Sequence, residues 1–350
     1  MDIVYNNVFI ESAGYEIPPD TLSSEDIEKM LAPVYQRLNL PEGRLEMMTG
    51  IRERRMWKRG TKPSDAAILA GRKALEKSSI DTGDIGCLLM CSVCRDFLEP
   101  ATATVVHNAL ELPENCLVFD ISNACLGILT GMVVVANMIE SGQIKAGMIV
   151  AGENGRSLIE STIAHMNANL GLTRRTVKPY FSSLTIGSGS VAFILCGENG
   201  RGPKHRFVGG ATLAVTKYNN LCRGNEDKGM GDNLDTLMNT DSELLMQKGV
   251  EVAASTWKKF KDATGWNEET PDLICTHQVG KAHKKLLLET LNLPSEKDYE
   301  TVQEMGNAGS VSCPLTFALA ADRGLVKDGN RIALLGIGSG INCTMLGVEW

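Results

Sequence analysis

The sequence predicts a duplicated α/β fold, on three observations. Helical and strand signals alternate along the whole chain. Several short apolar runs are bounded by turn residues, the pattern of strands buried on both faces. Three local patterns also recur at one spacing of 184 residues: Asn123-Ala with Asn307-Ala, Gly152 with Gly336, and the run from Leu88 with the run from Asp272. In order, SSEDIEKMLAPVYQRL from Ser23 reads as a helix with a capping serine, and PSDAAILAGRKALEKS from Pro63 as a second that begins the same way. IGCLLMCSV from Ile85 and CLVFDI from Cys116 read as strands, followed by a helix in ACLGILTGMVVVANMIESG and a strand in GMIVAG from Gly147. NEDKGMGDNLDT, from Asn225, reads as a long surface excursion, and PDLICTH and RIALLGIG as the last buried strands. The expected division is 1–200, with a nucleophilic cysteine, and 201–350, with a histidine and an asparagine. A pseudo-two-fold axis would relate the two halves.

Composition narrows the function. The chain of 350 residues carries a net charge of −7 and no dense Lys/Arg face, which argues against nucleic-acid binding. Ten cysteines without a small secreted framework suggest reduced thiols and a cytoplasmic setting. MDIVYNNVFIESAG has neither a basic n-region nor an apolar h-region, and no apolar run reaches the ~20 residues of a membrane span.

The stretch DISNACLGILTG places Cys125 among small neighbours where a strand gives way to a helix. Two readings follow. Cys125 is a buried small hydrophobe, or it is a thiolate favoured by the free N–H groups and dipole of a helix start. His277 ends PDLICTHQ, at a strand C-terminus where α/β sites gather, and Asn307 lies in MGNAGSVS, the duplicate of the cysteine's own junction. A histidine can exchange a proton with the nucleophile, and an amide can donate to a carbonyl oxygen as it becomes negative. Core packing and turn formation explain each residue singly. Their placement at repeat-related junctions favours a site.

NACLG at Cys125, THQ at His277, GNAGSVS at Asn307 and the terminal LLGIGSGINC together resemble the thiolase superfamily, and best its ketoacyl synthase III branch. The resemblance runs from TGIRERR at Thr49 to the last strand. It implies a layered αβαβα fold and an acyltransferase with a Cys-His-Asn triad. Cys125 would be acylated by an acyl thioester, and His277 and Asn307 would bind the carbonyl of a second. The backbone N–H groups of Cys125 and Ser339 would form an oxyanion hole. No cofactor is bound permanently and no metal is implied; coenzyme A thioesters are substrates, and an acyl carrier protein is a candidate partner.

The chain departs from the fatty-acid-initiating enzymes of that branch at two places. Met48 and Arg44, in GRLEMM, stand where those enzymes carry the Trp and the Arg that grip the coenzyme A adenine. Glu99, in SVCRDFLEP, replaces an aromatic residue on the loop that in the family crosses a dimer interface. SVCRDFLEP, LCRGN at Leu221 and LLGIGSGIN resemble the OleA-type enzymes, which join two fatty acyl-CoAs head to head with a glutamate as base. The resemblance therefore implies a homodimer in which Glu99 enters the partner's site and removes an α-proton, its pKa raised by desolvation. A solvated loop glutamate is the plainer reading. Arg52, Lys281 and Lys284 are candidates for the coenzyme A phosphates, with a solvated helix face as the alternative for KAHKK. Cys87, Cys91 and Cys94 have the C-x3-C-x2-C spacing of an iron–sulfur motif, but they lie in or at the end of an apolar strand that cannot wrap a cluster. Competing functions are a decarboxylative synthase using malonyl carrier protein and a non-catalytic binder of acyl thioesters.

Overall fold

The computed structural model describes residues 1–198, 205–224 and 238–350, so the excursion expected from Asn225 lies outside the described residues. The strands are β1 (Asp2–Val4), β2 (Phe9–Glu16), β3 (Asp20–Ser23), β4 (Glu53–Met56), β5 (Ile85–Met90), β6 (Leu117–Asp120), β7 (Ala146–Glu153), β8 (Gly189–Cys196), β9 (His205–Ala214), β10 (Cys222–Arg223), β11 (Asn239–Thr240), β12 (Leu273–Thr276), β13 (Arg331–Gly338) and β14 (Asn342–Glu349). The helices are α1 (Ser24–Met30), α2 (Ala32–Leu38), α3 (Arg44–Thr49), α4 (Pro63–Lys77), α5 (Thr102–Ala109), α6 (Gly127–Glu140), α7 (Arg156–Ala168), α8 (Ser242–Thr264), α9 (Lys281–Leu291), α10 (Val302–Met305) and α11 (Ser312–Asp322).

The main sheet runs β12-β13-β14-β9-β2-β8-β7-β5-β6, with β1 beside β9. Its order reads alike from both ends. β12 and β13 are parallel, and β14 and β9 follow antiparallel; β5 and β7 are parallel, and β8 and β2 follow antiparallel. The two runs join only where Phe9 faces Arg206 and Ile10 faces His205.

Strand alternation then builds layers. On β5 and just beyond it, Cys87, Leu89 and Cys91 point to a central core shared with Leu126, Met132, Leu315, Phe317, Ile332 and Leu346. Leu88 and Met90 point outward to Ala67 and Ala70 of α4 and to Val106 of α5. On the other run, Ala333, Leu335 and Cys343 meet Trp257 and Phe260 of α8 and Leu287 of α9. The order is α4/α5, sheet, α6/α11, sheet, α8/α9, five layers as the family resemblance implied. Central α11 is buried from Ser312 to Ala320, which explains its apolar sequence on every face.

Two local expectations differ. The helix expected from Ser23 is capped as predicted, Ser23 Oγ accepting from the Asp26 N–H at 2.9 Å, but it breaks at Leu31. Pro33 has no N–H to continue the ladder and starts α2 instead. In the helix from Pro63 the serine is not the cap: Asp65 accepts from the Lys62 N–H, and Ser64 bonds Asp96. β6 is also not buried on both faces. It is the terminal strand, and Leu117 stays 51% exposed.

Candidate active site

Cys125 lies in a 3-10 turn, Ala124–Leu126, that feeds α6. Ala124 has φ +44, a left-handed conformation strained for a residue with a Cβ, so the surroundings must hold the turn. Asn123 does so from both sides: its amide donates to Thr130 Oγ1 and accepts from Asn342 Nδ2, each at 2.9 Å. Gly127 has no room for a side chain, since a Cβ there would lie 2.2 Å from the Cys91 carbonyl oxygen and 3.3 Å from Ser310 Cβ. Gly338 brings β13 equally close, with a Cβ there 3.3 Å from the Cys125 nitrogen. Ser339 follows it, and its N–H finds no backbone acceptor among the described residues.

The second run supplies the partners. His277 follows β12 and donates its N–H to Leu335, three residues before Gly338. Gln278 fixes the turn after it, donating to the Thr276 carbonyl and accepting from the N–H groups of Thr301 and Val302. The His277 ring is buried, and its Nδ1 has no hydrogen-bond partner. Burial, and secondarily His283, lower its pKa to about 3; burial alone lowers that of His283, on α9, to about 4. Both rings are therefore neutral at neutral pH. Asn307 is held by its backbone between Thr185 and Gly187, and its Oδ1 accepts from the Gly309 N–H and Ser312 Oγ. That leaves Nδ2 as the end free to donate. The turn of Cys125 packs on Gly309–Val311, so the repeat-related junctions meet.

The thiol departs from the expectation of a helix-stabilised thiolate. Although the residue keeps some exposed surface, its sulfur is enclosed, and burial raises its pKa to about 12, with Glu153 and Cys222 adding negative potential. The local backbone N–H opposes this but does not prevail. Desolvation and a buried carboxylate outweigh the short dipole of a 3-10 turn. At rest Cys125 is a thiol, and it would have to lose its proton to act as a nucleophile.

Glu99 is not brought to these residues within one chain. It is exposed, on a loop with exposed Val93, Phe97 and Leu98, and no hydrogen bond joins it to Cys125, His277 or Asn307. The candidate phosphate cations divide. Lys284 is already held by Asp298 at 3.1 Å and by Glu300, and Arg52 pairs with Glu304 at 3.0 Å. Lys281 is exposed and has no ion pair among the described residues. Met48 is exposed, while the Arg44 guanidinium lies over the Phe181 ring at 5.8 Å. Cys87 and Cys91 are core residues, and the Cys94 thiol donates to the Asn154 carbonyl. Sequence reasoning missed Glu153 and His283. The signal for Glu153 was a carboxylate closing an otherwise apolar strand.

The family described as 3-Oxoacyl-[acyl-carrier-protein (ACP)] synthase III matches residues 119–171, and its C-terminal counterpart matches residues 262–350. The chain is 42% identical to an acyl-CoA:acyl-CoA alkyltransferase of Shewanella oneidensis over 99% of both chains. It is 35% identical to the enzyme of that name from Xanthomonas campestris, over 99% of this chain and 100% of the other. A beta-ketoacyl-[acyl-carrier-protein] synthase III of Koribacter versatilis is 27% identical over 97% of each. Among solved structures, a Cys-to-Ser variant of Xanthomonas campestris OleA with bound lauric acid and lauroyl-CoA superposes with a TM-score of 0.93. It is 36% identical, over 99% of this chain and 100% of that one.

Proposed function

The chain belongs to the ketoacyl synthase III family of the thiolase superfamily, and from that premise we propose that it condenses two long-chain acyl-CoA thioesters without decarboxylation. It is an acyltransferase that forms carbon–carbon bonds. The observation that carries the finer reading is the extended likeness to two acyl-CoA:acyl-CoA alkyltransferases, in a chain whose apolar loop ends in Glu99.

In the proposed cycle the Cys125 thiol attacks the first acyl-CoA. A thioester to Cys125 forms, the bond to coenzyme A breaks, and the thiol proton leaves with the departing thiol. The N–H groups of Cys125 and Ser339 stabilise the oxyanion of that step, a role that suits the Ser339 N–H, which has no backbone acceptor among the described residues. The second thioester directs its carbonyl oxygen to His277 and to Asn307 Nδ2, both neutral donors. Glu99, contributed by the partner subunit of a homodimer, takes the α-proton of the acyl group being activated. The carbanion attacks the other carbonyl, expels its thiolate, and gives a β-ketoacyl product. Exposure of Val93, Phe97 and Leu98 around Glu99, and of Leu117 on the edge strand β6, supports a loop and edge that another copy covers.

The test is incubation with one long-chain acyl-CoA alone, following intact protein mass and the organic extract. An acyl adduct on Cys125 with a β-keto acid, or the ketone it leaves on losing carbon dioxide, is expected. An adduct without condensed product returns the malonyl-dependent synthase to the lead. With no adduct from any acyl thioester, the nucleophile reading fails.

A further inference from the structure

Glu153, the last residue of β7, is buried at 4% exposure and has no lysine or arginine partner among the described residues. Its carboxylate is surrounded by donors. The N–H groups of Val93 and Cys94 donate to it at 2.8 and 3.1 Å, the Ser310 N–H at 3.3 Å and the Ser310 hydroxyl at 2.5 Å. The Cys94 thiol lies against it as well. Each of these bonds uses the carboxylate as acceptor and so favours its ionised form, against burial, which raises its pKa. The donors come from two separate loops. Val93 and Cys94 root the loop that ends in Glu99; Ser310 stands three residues after Asn307. The second loop crosses directly over the carboxylate, for Gly309 has φ +58 and a Cβ there would lie 3.3 Å from Oε1. Ser310 also reaches Gly127, the first residue of α6 beyond the cysteine's turn.

We infer that Glu153 is the positioning residue of this site, a buried anion that ties the root of the Glu99 loop to the Asn307 loop and holds both against the turn of Cys125. It rests on the function proposed above only for the roles of Glu99 and Asn307; the tie itself is independent of the reaction. An anchor of this kind at the end of β7 fixes both loops to a strand buried along its whole length. The price is a negative potential at the nucleophile, where Glu153 helps to hold the proton on Cys125. The titratable groups facing Glu153 are Cys94, from the loop after β5, and Cys125, from the 3-10 turn.

Glu153→Gln and Ser310→Ala in the full chain test it. Cys125 alkylation by iodoacetamide is followed by peptide mass across pH, and condensation by kcat and KM. In Glu153→Gln the alkylation profile moves toward neutral pH by about one unit, because the anion is gone. Its kcat falls about tenfold or more with KM within about twofold, because loops are misplaced and substrate binding is not. Ser310→Ala keeps the wild-type alkylation profile and loses kcat. A folded Glu153→Gln protein with an unmoved profile overturns the inference, as does a Ser310→Ala enzyme with wild-type kcat. If Glu153→Gln does not fold, Ser310→Ala decides alone. If the wild type condenses nothing, the proposed function fails while the alkylation shift still tests the tie.

Discussion

Acid should destabilise this protein through two residues in particular. His277 and His283 are buried and neutral, with pKa values of about 3 and about 4 against about 6.5 in an unfolded chain. A histidine whose folded pKa is depressed contributes its full share of stability above the unfolded pKa. That share is lost as pH falls below 6.5, where the unfolded chain takes up the proton and the folded one does not. At pH 5 each residue has lost about 1.5 units of this difference, roughly 2 kcal/mol, so the pair has lost roughly 4 kcal/mol. That is a large part of the ~5–15 kcal/mol that holds a domain together. Asp298, raised to about 6 by burial, works in the opposite sense below pH 6 and moderates the fall. His283→Leu isolates the effect. Whatever it does to stability at pH 7.5, it should remove about half of the histidine contribution to the decline between pH 7.5 and 5. Urea unfolding at closely spaced pH values, by tryptophan fluorescence, measures both slopes. Equal slopes for wild type and variant would refute the argument.

Further outcomes are expected at the site and beside it. Glu99→Ala should still yield the Cys125 acyl adduct from acyl-CoA but no condensed product, as read by intact mass and extract; loss of the adduct too would place Glu99 in the first half-reaction instead. Asn307→Ala should lower kcat on the order of a hundredfold, because it removes a neutral donor from a developing oxyanion. The same variant should leave alkylation of Cys125 by iodoacetamide unchanged. Lys281→Ala and Lys284→Met should separate binding from structure. The first should raise KM for acyl-CoA without moving the melting temperature. The second, by leaving buried Asp298 without its cation, should cost about 3 kcal/mol in denaturant unfolding.

The parts legible in the sequence are those with a period or a repeat. Strand ends at Met90, Thr276 and Gly338 lie in apolar runs bounded by turn residues. The 184-residue spacing marks the two junctions that pack together, the turn of Cys125 and the stretch after Asn307. What was not legible depends on neighbours remote in the chain. The pKa of Cys125 could not be read from DISNACLGILTG, because its burial and the carboxylate beside it come from β7, β10 and β13. Glu153 carries no periodic signal; its meaning lies in donors 60 residues upstream and 157 downstream. His283 looks like one more polar residue of KAHKK until α9 turns it inward. The break at Leu31 was different, since Pro33 was in plain view and the capping pattern outweighed it.

These observations describe a site without a resting ion pair. Thiolate–imidazolium is a familiar way to activate a cysteine, but here it would require a cation on a ring whose pKa burial holds near 3 and an anion on a sulfur held near 12. In so buried a setting, two such charges would be desolvated, at a cost of several kcal/mol each. The permanent charge sits instead on Glu153, where four N–H and O–H groups from the protein solvate it. His277 and Asn307 remain neutral donors, able to meet a carbonyl oxygen as it gains charge and to release it when the charge collapses. In the proposed reaction such a site would do its proton transfers only when a thioester is present to accept the electrons. In the proposed condensation the α-proton would be the one step for which neither the thiol nor the imidazole is a strong enough base at rest, so the base would come from elsewhere, and the exposed Glu99 loop is where this chain would offer one.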